Sequence, residues 1–329
     1  MNFKIETLPF GDFESVKITS LISGDSLTVC NYGATVTSYT YITNQGGADI
    51  LVPYHSPEQL IKGEAAVNWI MAPFSNRMRE GTYSFNGRSY HLNDQSGKSH
   101  GMVRKMIFKV EEIGQTEEEV IIKYHTQISP EMFSAYPFHT GIAVTYRFRN
   151  KKLGLSIEGT NLGTDPLPFG CGWHPYFYSG GQLINSFRLY IPSEEVVVTD
   201  QQLVPLQSNH IKKISSDDIL YFADPAPVRM IGDSVVNACY TNLKPGQNGL
   251  IESVLTDTIN KTAFRIFQER GVFYAYTPES LRGEKRKSIA LEPVEFITDA
   301  FNRDELKDQI VLLPGEKRSF EFGIIRGSL

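Results

Sequence analysis

Hydrophobic and polar side chains alternate with a period of two along much of the chain. Lys17-Ile18-Thr19-Ser20-Leu21-Ile22 follows this pattern, as do Ala143 to Arg149, Leu250 to Leu255, Ala263 to Phe267 and Ser319 to Ile325. Successive side chains of a strand point to opposite faces, so this alternation predicts antiparallel strands with one face buried and the other wet. Turn residues punctuate the runs. Asn44-Gln45-Gly46-Gly47 and Phe85-Asn86-Gly87-Arg88 predict hairpin connections, because Asn and Gly tolerate the positive φ such turns need. Leu313-Pro314-Gly315-Glu316 predicts a turn into the last strand. Helical periodicity is scarce. Ser56 to Leu60 starts a short helix with Ser56 as N-cap and Pro57 at its first position, and Arg303 to Gln309 holds another turn or two. No Pro/Gly/Ser linker, charge block or repeat divides the sequence. Many evenly spaced strands without interleaved helices predict one large all-β sandwich or barrel over residues 1–329 and argue against a doubly wound sheet.

Composition supports this and narrows the function. Twenty Phe, 16 Tyr and 2 Trp favour strands. The 32 basic and 37 acidic residues leave a net charge of -5, which excludes a basic nucleic-acid footprint over the whole chain. With 41% hydrophobic residues the chain can bury a large core. No apolar run approaches the ~18 residues of a membrane span. The opening MNFKIETLPFGDF lacks the apolar stretch of a secretory signal. Cys30, Cys171 and Cys239 are odd in number and have no CxxC spacing, so they predict buried thiols in a reducing compartment and no metal site. The expectation is a cytoplasmic protein with no nucleic-acid or membrane partner.

There is no Gly-rich phosphate loop, HExxH helix or GxSxG elbow. Candidate chemistry falls on three segments. Trp69 to Phe74 leads into Ser75-Asn76-Arg77 and, after a hairpin, Ser99-His100-Gly101. Phe169 to Phe177 sets a single imidazole, His174, among glycines and aromatics at the end of a strand. Ile289 to Glu295 places Glu292 after an apolar run and before a proline, where a strand gives way to a loop. Each has a plain structural alternative: His174 as a hydrogen-bonded core residue, Arg77 as a surface or salt-bridging arginine, Glu292 as a turn cap.

Together these segments resemble the aldose 1-epimerase (galactose mutarotase) family over nearly the whole chain. The resemblance rests on Asn31-Tyr32-Gly33-Ala34, on Asn76-Arg77 with Gly81, Phe85-Asn86-Gly87 and Tyr90, and on His100-Gly101. His174-Pro175-Tyr176-Phe177, Leu291-Glu292-Pro293, Asp299-Ala300-Phe301-Asn302 and Leu313-Pro314-Gly315-Glu316 follow in the family's order. It implies a large antiparallel β-supersandwich with few short helices and an open sugar cleft. It also implies Glu292 as catalytic base, His174 as catalytic acid, and Arg77 and His100 as sugar-binding residues, with no cofactor. Asn237 stands where the family places a cleft aspartate; it still exchanges hydrogen bonds but brings no charge.

The implied reaction interconverts α and β anomers of an aldohexose. A base removes the C1 hydroxyl proton, an acid protonates the ring oxygen, the C1–C2 bond rotates, and closure reverses the transfers. Near pH 7 those roles require an ionised Glu292 and a protonated His174 when sugar binds, and a neighbouring carboxylate favours the imidazolium. Trp173, Tyr176 and Phe74 are candidate aromatic walls or, alternatively, core aromatics. Tyr136-Pro137-Phe138 and His100 to Arg104 look more like relatives that epimerise hexose 6-phosphates, in which Arg79, Lys98, Arg104 or Lys105 would clamp the phosphate. A non-catalytic sugar binder on the same scaffold is a third reading. A small-molecule sugar is the expected partner, and a monomer or weak homodimer the expected state.

Overall fold

The protein was analysed as a computed structural model that describes residues 1–44, 46–93 and 99–329. Its architecture is an antiparallel β-supersandwich built on three large sheets. The first has five strands in sequence order: Phe3–Phe10, Phe13–Ser20, Ser26–Cys30, Thr35–Thr43 and Gly46–Asp49. The second has nine, centred on Lys317–Ser328 between Thr262–Gln268 and Lys152–Asn161. The third has Ser288–Val294 near its middle, with Val272–Tyr276 on one side and Gly172–His174 and Tyr176–Tyr178 on the other.

The alternating runs become the strands they predict, and their apolar faces meet in one large core. Lys17 to Ile22 is the exception. Its strand stops at Ser20, where Gly24 N–H donates to the Ser20 carbonyl and closes a tight turn, leaving Leu21 and Ile22 each 63% exposed. The Phe85–Arg88 hairpin is a two-residue turn with φ 50° at Asn86 and 74° at Gly87. The turn before Gly46 includes Gln45, which lies outside the described residues. The short helix is Pro57–Lys62, its Ser56 hydroxyl accepting the Gln59 N–H. Within Arg303 to Gln309 there is a single 3₁₀ turn, Asp304–Leu306.

Polar contacts lock the sheets to each other. Tyr124 and Tyr146, on the nine-stranded sheet, donate their hydroxyls to the carbonyls of Val29 and Ala34. Asp25, fully buried, receives a two-pronged contact from Arg326. On the opposite side Arg270 and Arg318 both reach the buried carboxylate of Glu295, each at 2.9 Å. A buried carboxylate needs such partners, because its desolvation is otherwise uncompensated.

One side chain organises the third sheet near its edge. Asn68 is fully buried in the left-handed region, φ 57°. Its amide nitrogen donates to the carbonyls of Val36 and Val52, and its Oδ1 accepts the Tyr176 N–H. Its own backbone donates to the His174 carbonyl and accepts the Trp173 indole N–H. Asn68 therefore holds the 173–176 segment against the first sheet. Asn68→Ala strands two carbonyls and one N–H, at about 1–3 kcal/mol for each buried unsatisfied group. Urea denaturation is expected to show a loss of about 3 kcal/mol or more; a loss below about 1 kcal/mol would contradict this role.

Candidate active site

The ladder of the third sheet decides which side chains meet. Gly172 pairs with Val294 and Tyr176 with Ala290, so the register carries His174 to the position beside Glu292. On the other side Glu292 pairs with Tyr274, and Tyr274 with Cys239. His174 pairs onward with Trp69. Residues directly opposite in a ladder share a face. Cys239, Tyr274, Glu292, His174 and Trp69 thus form one row across five strands, and all five line a cleft of about 420 Å³. A second row, Asn237, Tyr276 and Tyr176, lies alongside it and lines the same cleft. Glu292 stands inside its strand, which runs on to Val294, and not at the strand's end as the following proline suggests.

Glu292 Oε1 lies 3.4 Å from His174 Nε2, and both side chains are more than nine-tenths buried. Burial sets their protonation. It pushes the Glu292 carboxyl up to about 8 and the His174 imidazole down to about 4, since desolvation disfavours either charged form. At neutral pH burial therefore favours a protonated carboxyl beside a neutral imidazole. The ionised Glu292 and protonated His174 expected above belong to the sugar-bound site; without sugar, loss of water favours the neutral form of each. The pair still carries one proton, as carboxylate and imidazolium would, so it has one donor and one acceptor. His174 Nδ1 is buried without a hydrogen-bond partner among the described residues.

His100 packs edge-on against His174, with ring centroids 5.1 Å apart, and its Nδ1 is 3.0 Å from Met71 Sδ. Desolvation, followed by the fields of His174, Arg104 and Arg77, holds its pKa well below the usual range. Gly101 fixes its place. At φ 72°, a Cβ there would lie 2.1 Å from the Ala72 carbonyl oxygen. Arg77 lines the cleft, its Nε near Asn76 Oδ1 and its Nη1 donating to the Gln202 carbonyl at 3.2 Å. Asn237, at the start of its strand, is exposed to the cleft.

The structure thus brings together Glu292, His174, Arg77, His100 and Asn237. It places the two arginines proposed for a phosphate elsewhere. Arg104 is buried, its guanidinium 4.8 Å above the Trp69 ring and donating to the Gly101 carbonyl. Arg79 is engaged by Asp200 and the Pro205 carbonyl. Neither lines the cleft. Lys98 lies outside the described residues. Of the three aromatic candidates, Tyr176 lines the cleft, stacked 5.1 Å from the His174 ring. Trp173 and Phe74 are core residues, Trp173 stacked on Phe322 and Phe74 edge-on to Phe301. Trp69, Tyr274 and Tyr276 were not anticipated as walls. Tyr274 and Tyr276 share a face two residues apart, a signal that becomes useful only once their strand is paired with Glu292's. Among the described residues no group of three or more His, Cys, Asp or Glu is arranged to hold a metal. None of the helices there is long and apolar enough to cross a membrane.

The sequence profile of the aldose 1-epimerase family matches residues 17–324. The chain belongs to the aldose 1-epimerase family. It is 25% identical over 317 residues to YihR of Escherichia coli K12, covering 94% of this chain and 93% of that one. Human galactose mutarotase matches at 23% over 186 residues, 54% of this chain and 52% of that protein. Among solved structures, the GalM/aldose epimerase homologue of Caenorhabditis elegans superposes with a TM-score of 0.81 at 17% identity, covering 99% of this chain and 100% of that one. Galactose 1-epimerase of Lactobacillus acidophilus superposes with a TM-score of 0.79 at 15% identity, covering 99% and 98%. At these identities the structural likeness speaks to the fold of this epimerase-family member.

The buried pair has a direct signature. In a pH titration followed by NMR of labelled side chains, His174 is expected to stay neutral down to about pH 4 and Glu292 to keep its proton up to about pH 8. Titration of both groups near their ordinary values, ~6.5 and ~4.3, would contradict the role given to burial.

Proposed function

We propose that this protein interconverts the α and β anomers of a free aldohexose by acid–base ring opening and closure. The observation that carries the reading is the buried Glu292–His174 contact at 3.4 Å on the cleft floor. The two oxygens of a hemiacetal, the C1 hydroxyl and the ring oxygen, share one carbon. Adjacent acid and base groups can therefore reach both from one side.

The pair's single proton sets the bookkeeping. With that proton on His174, Glu292 accepts the C1 hydroxyl proton as the C1–ring-oxygen bond breaks and His174 protonates the ring oxygen. An open aldehyde results. Rotation about C1–C2 presents the other carbonyl face, and closure returns both protons. Moving the proton from Glu292 to His174 crosses one short gap without changing the pair's charge. The low dielectric that makes ions costly in the empty cleft also makes each positioned transfer effective, typically by ~10²–10⁴-fold. Arg77 and His100 are the groups placed to hold sugar hydroxyls, and Asn237 offers a neutral amide at the far row. Trp69, Tyr176 and Tyr276 offer apolar faces for sugar C–H bonds.

Two features favour this reading over its alternatives. Among the described residues Arg77 is the only Lys or Arg lining the cleft, and Arg79 and Arg104 are committed elsewhere, which weighs against a 6-phosphate clamp built on those two arginines. A pure sugar binder has no use for a desolvated acid–base pair, which costs stability to bury.

Polarimetry of freshly dissolved α-glucose and α-galactose tests the proposal. Wild-type protein is expected to speed the optical change of at least one of them. Glu292→Gln is expected to lower kcat by ~10²–10⁴-fold while KM stays within about tenfold. Wild-type-like turnover by that variant would contradict Glu292 as the proton acceptor.

A further inference from the structure

We propose that Arg79 is a positioning residue that fixes the sugar-binding Arg77 and one wall of the cleft by stapling the 199–205 turn in place. The inference rests on the proposed function for Arg77 but draws on a separate set of contacts.

Arg79 lies two residues beyond Arg77 and does not itself line the cleft. Its Nη1 contacts Asp200 Oδ2 at 2.9 Å and its Nη2 donates to the Pro205 carbonyl at 3.2 Å. The two contacts grip the two ends of one turn. Within that turn Asp200 Oδ1 accepts the N–H groups of Gln202 and Val204, at 2.9 and 3.1 Å, and Thr199 bridges to Pro205. Leu203 sits at the turn's apex in the left-handed region, φ 60°. The turn does two things for the site. Leu203 and Pro205 line the cleft, and the Gln202 carbonyl accepts the Arg77 Nη1–H. The guanidinium facing the sugar is thus held by a carbonyl that Arg79 keeps in place.

Behind both arginines stands Asp299, fully buried at φ 66°. Its N–H donates to the Arg77 carbonyl at 2.9 Å, and its Oδ1 accepts the Arg79 N–H at 2.8 Å. Its Oδ2 and the Arg79 Nε are both buried, face each other at 4.0 Å and have no hydrogen-bond partner among the described residues. Arg79 therefore sits between a fixed carboxylate on the core side and a turn on the cleft side. A lone part-exposed ion pair would be weak. Here one rigid fork reaches an anion and a carbonyl at once, a geometry that lysine's single ammonium reproduces only in part. A guanidinium so engaged has no fork left for a phosphate, which explains why Arg79 is absent from the cleft lining.

The test pairs a readout of the turn with a readout of the sugar site. In Arg79→Met, hydrogen exchange at the amides of Val204 and Leu206 is expected to rise at least tenfold, with Val272 to Tyr276 unchanged. KM for the hexose that the wild type turns over is expected to rise about tenfold, with kcat changed less than about threefold. Asp200→Asn keeps an acceptor for the turn's own N–H groups and should show the same pattern more weakly. Arg79→Lys should restore part of the KM. Unchanged exchange at Val204 and Leu206 would overturn the staple. Raised exchange with unchanged KM, or an equal fall in kcat without a KM effect, would overturn the positioning role. If Arg79→Met does not fold, the Asp200→Asn and Arg79→Lys pair decides on the same readouts. If the wild type turns over no hexose, the functional reading has failed, and the exchange measurement still decides the staple.

Discussion

Desolvation of two titratable groups in register on neighbouring strands governs this molecule. Ser288–Val294 is buried along its whole length, and the ladder on either side of it brings Tyr274 and His174 level with Glu292. Water is excluded from both members of the pair, so each is pushed toward neutrality and the site stores one proton between a carboxyl and an imidazole. In solvent the same two groups would form a carboxylate and a partly charged imidazole of ordinary strength. The fold's contribution is the dry, shared position.

Holding that position demands unusual backbone. Ala65, Ala66, Asn76 and His100 line the cleft with positive φ, and Asn68 and Asp299 stand behind it in the same region. Such conformations are costly for residues with a Cβ and persist where surrounding contacts determine them. The contacts are visible. Asn68 is bonded through both its side chain and its main chain, Asp299 spans the Arg77 and Arg79 backbones, and His100 is followed by a glycine that no other residue could replace against Ala72. Asn68 and Asp299 thus each tie a strained backbone position to a segment of the candidate site, the first to 173–176 and the second to Arg77.

Strand content, the hairpin at Asn86-Gly87, the Ser56 cap and the all-β architecture were legible in the sequence, because alternation and turn chemistry act locally. The chemical residues were legible for another reason. A histidine among aromatics and glutamate after an apolar run are odd enough to notice, and the family resemblance joined them. What local pattern does not carry is pairing. Which strands neighbour Ser288–Val294, and in what register, is set by long-range pairings, Tyr274 with Glu292 on one side and Tyr176 with Ala290, more than a hundred residues away, on the other, so Trp69, Tyr274 and Tyr276 stayed hidden. Trp173 and Phe74 look like sugar walls in the sequence but point into the core. Charge was misleading for a related reason. Arg79 and Arg104 read as available cations, yet tertiary structure gives Arg79 a carboxylate and a carbonyl, and Arg104 a carbonyl and an aromatic face. The protonation of the pair without sugar was not legible either, because it is set by burial.

The most direct measurement is the pH dependence of kcat/KM for anomer interconversion by the wild-type protein. The proposed reaction needs one donor and one acceptor, hence one proton in the pair. Below about pH 4 His174 gains a proton beside the protonated Glu292, and above about pH 8 the last proton leaves. The account predicts a broad plateau between those limits with activity falling on both sides. A limb inside the plateau, near pH 6 to 7, would show that the two groups titrate as ordinary solvated side chains and would contradict the claim that burial sets the chemistry.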